Sequence, residues 1–195
     1  MDAKIGVLAL QGNVSEHIDA FLLALERTGH GASSEVFEVH SPADLADCSA
    51  LSIPGGESTT ISRLIDKNNL YEPIRQFKGG IFATCAGMVL MATGVADSRI
   101  HPLGLMDMSV DRNAFGRQCE SFEIDLPLDG LEGKPFHAVF IRAPVVTRAG
   151  PALRVLARLQ KGIVALESGK HLALSFHPEL GNDTRLHERF LRQNG

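Results

Sequence analysis

The 195 residues suffice for one domain (1–195) with a sizeable core, and 44% hydrophobic with 22% charged residues is the balance of a soluble globular protein. A net charge of −4 leaves no broad basic footprint for nucleic acid, and no apolar run approaches the ~18 residues of a membrane span. Three sparse cysteines (Cys48, Cys85 and Cys119) argue against a disulfide framework and for a reducing, cytoplasmic compartment; CxxC and HExxH metal spacings are missing.

In chain order, Met1–Lys4 has no signal-peptide build and leads into Lys4–Leu10, an apolar run read as a buried strand. Gln11-Gly12-Asn13 breaks it. Ser15 reads as an N-cap, with Ile18, Phe21, Leu22 and Leu25 at helical spacing behind it and Gly29 and Gly31 as the stop. Glu35–His40 is the next expected strand, then a short helix over Pro42–Ala46 and a strand over Ala50–Ile53. Pro54-Gly55-Gly56 stops that strand, and a helix begins over Thr59–Leu64. Gly80–Ala83 is a further strand, with its helix over Cys85–Thr93. This alternation predicts a three-layer α/β fold with a mainly parallel sheet. The second half changes character. Met106–Arg112, Ser121–Leu126, His137–Ala143, Leu153–Leu159, Ile163–Ser168 and His171–Phe176 read as added antiparallel strands, and Asp183–Arg192 as a closing helix.

Sites in such sheets lie beyond the carboxyl ends of the strands. Gln11-Gly12, Pro54–Ser58, Thr84–Gly87 and Phe176–Glu179 all fall there, so the pattern predicts that they converge. Cys85 sits where a strand turns into a helix, flanked by small residues, as a nucleophile on a sharp elbow requires. The helix N-terminus would favour the thiolate, and the Ala86 amide would face a developing oxyanion. A buried core cysteine satisfies the same pattern. His177-Pro178-Glu179 tips the balance, because side chains two apart on extended backbone point the same way. Glu179 would fix the tautomer of His177 while the other ring nitrogen meets Cys85. Pro54-Gly55-Gly56-Glu57-Ser58 suits an oxyanion hole, a phosphate loop or a plain tight turn.

Taken together, PGGES, TCAG and SFHPE in this order resemble the class I (triad) glutamine amidotransferases. LALQGNVSEH (8–17), IPGGESTTI (53–61), DRNAFGRQCESFE (111–123), FIRAP (140–144) and SFHPEL (175–180) resemble more closely the glutaminase subunits of pyridoxal 5′-phosphate synthases, over nearly the whole chain. Gln11-Gly12 and RNAFGRQ separate the chain from the amidotransferase subunit of histidine biosynthesis, which shares the Cys/His/Glu set.

The resemblance implies a flavodoxin-like sheet and hydrolysis of L-glutamine to glutamate and ammonia. The ammonia would pass to a separate synthase subunit that builds the vitamin B6 cofactor. Cys85 would attack the amide, His177 would shuttle the proton and Glu179 would orient it. Gly55, Gly56 and Ala86 would form the oxyanion hole. Gly55, Gly56, Glu57, Ser58, Arg112, Ile141 and Arg142 would hold glutamine, Glu57 suiting its ammonium and an arginine its carboxylate. Gln11 and Gly12 would couple the site to the partner. Neither a cofactor nor a metal is called for, and neither nucleic acid nor a membrane is a partner. Ala83 departs from the family, which carries glycine at the first elbow position, and its methyl group is expected to crowd the turn.

Overall fold

Short apolar runs bury on both faces in β1 (Lys4–Leu8), β3 (Ala50–Ile53), β4 (Gly80–Thr84) and β12 (His171–Leu174), and with the edge strand β2 (Glu35–Val39), in which Val39 alone is buried, they form the parallel half of the sheet. The computed structural model of the chain describes residues 3–31, 33–112, 114 and 121–194. Cys119 and the RNAFGRQ block beyond Arg112 and Ala114 lie outside them. The sheet runs β2-β1-β3-β4-β12-β11-β9-β6-β5. Its first five strands are parallel and their order is flavodoxin-like, with β12 in the fifth place. Beyond β12 come the antiparallel additions: β11 (Gly162–Ser168), with β10 (Arg154–Leu159) paired to it, then β9 (Val145–Ala149) and β6 (Met106–Asp111). β7 (Ser121–Leu126) and β8 (Phe136–Ile141) form a separate hairpin.

Alternation along β4 divides the core. Ile81 and Ala83 face one layer, with α3 (Ser58–Lys67), α4 (Tyr71–Gln76) and α5 (Ala86–Met91) against it. Phe82 faces the other, among residues of α1 (Val14–Arg27), α6 (Arg185–Asn194) and β8. Burial of Phe82 contributes about 1.5–3 kcal/mol. Edge-on contacts with Phe21 at 5.3 Å and Phe190 at 5.4 Å fix its ring, and with it the strand that carries Cys85. Ala83 is fully buried in this strand, with partners Ile53 and Ala173, and its methyl group fits.

Several local expectations need correction. The N-cap of α1 is Asn13, not Ser15, whose hydroxyl instead donates to Glu16 Oε2 at 3.0 Å. The buried stripe of α1 is His17, Ala20, Phe21, Ala24 and Leu25 at i, i+3, i+4, i+7 and i+8, while Leu22 is 43% exposed. The helix after Cys85 ends at Met91, because Ala92–Val95 turns extended and pairs with β6 as β5. α4 and β9 had no expectation at all. Short α2 (Pro42–Ala46) stands as read, closed by a capping box between Ser41 and Asp44.

Candidate active site

β1, β3, β4 and β12 include four strand ends, and β1-β3-β4-β12 are neighbours in the sheet. The four punctuated stretches therefore leave its carboxyl edge side by side and meet at one cleft of about 390 Å³, lined by Gln11, Gly12, Gly56, Glu57, Ser58, Cys85, Ala86, Arg112, Ile141, Arg142 and His177 among others. This is the convergence the pattern predicts.

Cys85 turns the chain at φ +47° and ψ −103°, a conformation that costs a non-glycine residue about 1–3 kcal/mol. The ladder holds it there: its N–H donates to Leu174 O at 2.8 Å, and Val89 N–H donates to its carbonyl at 3.3 Å. The small residues around the elbow have a steric cause. A Cβ on Gly87 would lie 2.2 Å from Ile53 O, so only glycine lets the helix start this close to β3. The thiol is 8% exposed and its sulfur is 3.8 Å from Ile141 O, its hydrogen-bond acceptor at the end of β8.

His177 and Glu179 are both buried, and Nδ1 donates to Oε1 at 2.7 Å. The juxtaposition arises differently from the expectation. Pro178–Leu180 is a 3-10 turn rather than extended backbone, so it is the turn that brings the carboxylate under the ring. Burial works against a charged His177, but hydrogen bonds with Cys85 and Glu179 outweigh it and hold the ring above the ordinary histidine range. Burial likewise opposes an ionised Glu179, and His17 followed by His177 reverses that, leaving the carboxyl well below the usual range.

The loop glycines are placed less simply. Gly55 N–H donates to Thr84 Oγ1 at 2.9 Å, and Asn13 N–H donates to Gly55 O at 3.3 Å. The Gly55 amide is thus engaged inside the protein rather than facing the cleft, because Thr84 reaches it first. Gly56 and Ala86 both line the cleft. Gln11 Oε1 accepts the Glu57 N–H at 2.8 Å and so latches the first loop to the second.

Glu57 has a role that spacing did not reveal: it is the N-cap of α3, accepting from the backbone N–H groups of Thr59 and Thr60. Arg112 donates to its Oε1 at 3.1 Å and to Asp97 Oδ2 at 2.8 Å. Burial acts to raise the carboxyl of Glu57, but the threonine hydrogen bonds win and push it down to about 2. The stability it contributes is therefore present above the unfolded value of 4.5 and is lost as pH falls through about 2. Glu57→Ala is expected to cost the free chain about 1 kcal/mol through loss of the cap, read as a lower urea midpoint without glutamine. An unchanged midpoint would limit Glu57 to contact with a ligand. Ser58 is buried at the first turn of α3, Ile141 is half-buried, and Arg142 is exposed at φ +43° on the cleft rim.

Asn13, His17, Thr84 and Asp97 were not singled out from sequence. Asn13 Nδ2 donates to Glu179 Oε1 at 3.2 Å, which explains why the N-cap of α1 makes no side-chain cap. A signal for His17 existed in the periodicity of α1, where the ring falls on the buried stripe. Among the described residues no group of three His, Cys, Asp or Glu side chains is placed to hold a metal ion, and no helix is long and apolar enough to cross a membrane.

Residues 7–194 match the family model described as the SNO glutamine amidotransferase family. A relative from Methanoregula boonei, named pyridoxal 5′-phosphate synthase subunit PdxT, is 69% identical over 192 residues, covering 98% of this chain and 99% of its own. A protein of the same name from Pelotomaculum thermopropionicum is 49% identical, covering 97% and 94%. A solved structure described as a glutamine amidotransferase superposes with a TM-score of 0.85 at 44% identity, covering 98% of each chain.

Proposed function

This chain belongs to the SNO glutamine amidotransferase family, and within that family we propose that Cys85, His177 and Glu179 are its catalytic triad, acting in a single domain. The chain is a glutamine amidohydrolase, the glutaminase subunit of pyridoxal 5′-phosphate synthesis. One observation carries the triad: a cysteine forced to positive φ at the cleft floor, with a buried His–Glu pair on the neighbouring strand end.

Cys85 passes its thiol proton to His177, and its sulfur attacks the side-chain amide carbon of glutamine. The carbonyl oxygen takes up negative charge and meets the amides of Gly56 and Ala86. His177 gives its proton to the leaving nitrogen, the C–N bond breaks, and ammonia departs from a thioester. Water then attacks the thioester, with His177 taking its proton, and glutamate leaves. Glu179 keeps the Nδ1 proton in place and supports the imidazolium throughout. The Arg112–Glu57 pair matches a zwitterion: arginine takes the α-carboxylate in a paired geometry and Glu57 the ammonium, with Arg142 on the rim as a second cation. Ser58 and Ile141 complete the walls. The sparse cysteines support a reducing, cytoplasmic setting for this chemistry.

The ammonia passes to a separate synthase subunit, and that partner switches the glutaminase on. The Gly55 amide engaged by Thr84 and the Gln11 latch on Glu57 support this reading, since a docked partner at the Gln11-Gly12 edge would reset these peptides. Steady-state ammonia release is measured for the chain alone and with saturating partner at fixed glutamine. A rise in kcat on complex formation is expected, and Gln11→Ala weakens the response. Equal rates with and without partner would sink the idea. Gly12 is a poorer probe, because at φ +112° a Cβ there would lie 1.9 Å from Gly55 O and deform the loop by itself.

A further inference from the structure

His17 is the polar member of the buried stripe of α1, and its side chain is fully excluded from solvent. A buried imidazole needs partners for its nitrogens. Nδ1 lies 3.3 Å from Ser52 Oγ on β3, and Nε2 lies 3.0 Å from Thr84 Oγ1 at the end of β4. Nε2 also lies 3.5 Å from Glu179 Oε1. That carboxylate decides the tautomer. A lone pair on Nε2 would face a negative oxygen, whereas an N–H there is attracted to it. Nε2 therefore carries the proton, and the Ser52 hydroxyl donates to Nδ1. Phe82 and His187 hold the ring edge-on, at centroid distances of 6.0 and 6.4 Å.

We propose that His17 is a positioning residue of the glutaminase, which braces the triad carboxylate from behind and ties it to the loop beside the nucleophile. The proposal rests on the triad reading above. Three side chains converge on Glu179 Oε1: His177 at 2.7 Å, Asn13 at 3.2 Å and His17 at 3.5 Å. Oε2 has no partner among the described residues. The negative charge is thereby concentrated on the oxygen that orients His177. The same Nε2 also holds Thr84, the residue before Cys85, whose Oγ1 accepts the Gly55 N–H. One ring thus joins the carboxylate, the nucleophile's strand end and the start of the Pro54–Ser58 loop.

The charged and titratable groups around this junction are few. Glu179 is faced by His177 from its own turn and by His17 from α1, and Cys85 lies beyond His177. His187 on α6 is pushed down to about 3, by burial first and then by His17, so it stays neutral at working pH; Asp183 lies beyond it. A change in the base limb of activity, which follows the charged form of His177, consequently reports on the support Glu179 gives that ring.

The test uses the chain with its synthase partner and follows ammonia release from about pH 5 to 11 for the parent, His17→Leu and His17→Gln. Leucine keeps apolar bulk and removes the donor. Glutamine places an amide N–H near the position of Nε2. For His17→Leu, kcat is expected to fall roughly tenfold with KM within about twofold, and the base limb to move down by about one pH unit as Glu179 supports the His177 imidazolium less well. His17→Gln recovers most of both. Parent-like kcat and base limb in His17→Leu overturn the proposal. So does an equal fall in both variants with the base limb unmoved, which would reduce His17 to packing. Should the variants fail to fold, the ring nitrogen spectrum of His17 in the parent decides, since a proton on Nδ1 rather than Nε2 overturns the assignment. A parent that releases no ammonia with its partner counts against the triad reading itself.

Discussion

Cys85→Ala abolishes ammonia release from glutamine while the chain still folds and still binds its synthase partner. Loss of the sulfur removes the proposed nucleophile, without which no thioester forms, so the expected fall is at least ~10⁴-fold. Folding is spared for a local reason. Alanine is smaller than cysteine, the backbone strain at φ +47° is the same for both, and the ladder bond from this residue's N–H to Leu174 O involves no side chain. Cys48 provides the control. Its thiol is pushed up to about 11, by burial first and then by Asp47 and Asp44, and its sulfur donates to Asp44 O at 3.4 Å, away from the cleft. Cys48→Ala therefore retains most activity, and a glutamine-derived electrophile labels Cys85 and leaves Cys48 and Cys119 alone. Comparable ammonia release from Cys85→Ala, or labelling at another cysteine, would move the site.

His177→Ala follows with a loss of roughly 10³-fold in kcat, and Glu179→Gln with a smaller loss of roughly 10–100-fold. The order reflects their places. In the proposed triad His177 meets the Cys85 thiol and would protonate the leaving nitrogen, whereas Glu179 would act through Nδ1 of the ring. A glutamine at 179 keeps the shape and one acceptor for Asn13 and His177, but it cannot stabilise an imidazolium by charge. The pH profile carries the sign. His177 is held above the ordinary histidine value, so its protonated form persists to higher pH in the folded chain. Glu179→Gln removes part of that support, and the base limb of kcat/KM moves to lower pH. The stability tied to the protonated ring, complete below the ordinary value of 6.5 and lost as pH rises through the raised one, narrows in the same direction. Parent-like kcat and base limb in Glu179→Gln would reduce Glu179 to a turn residue.

Much of this was legible in the chain before any coordinates. Strands buried on both faces must be apolar runs, and Gly, Pro and Asn end them, so β1, β3 and β4 and the loops after them could be read from the chain, although β1 ends at Leu8 rather than Leu10 and β4 runs on to Thr84. An elbow nucleophile tolerates only small neighbours, which singled out Cys85, and the separation of two residues in HPE singled out His177 and Glu179 as a pair, although a 3-10 turn rather than extended backbone brings them together. What escaped depends on partners distant in sequence. Met88–Met91 runs into Ala92 and Thr93 without a breaker, and only pairing with β6 ends the helix. Short β9 exists because β6 and β11 flank it. Asn13 gives up the cap of α1 because Glu179, far along the chain, offers its side chain a charged acceptor. Glu57 reads as a ligand for substrate and nothing more until α3 is seen to start on it, and His17 looks like part of a helix until β3, β4 and the HPE turn close around its ring. Periodicity and punctuation act over a few residues and determine which groups reach the carboxyl edge of the sheet. Hydrogen bonds and charges act through space, and only the folded chain decided which oxygen, nitrogen or sulfur each of those groups meets.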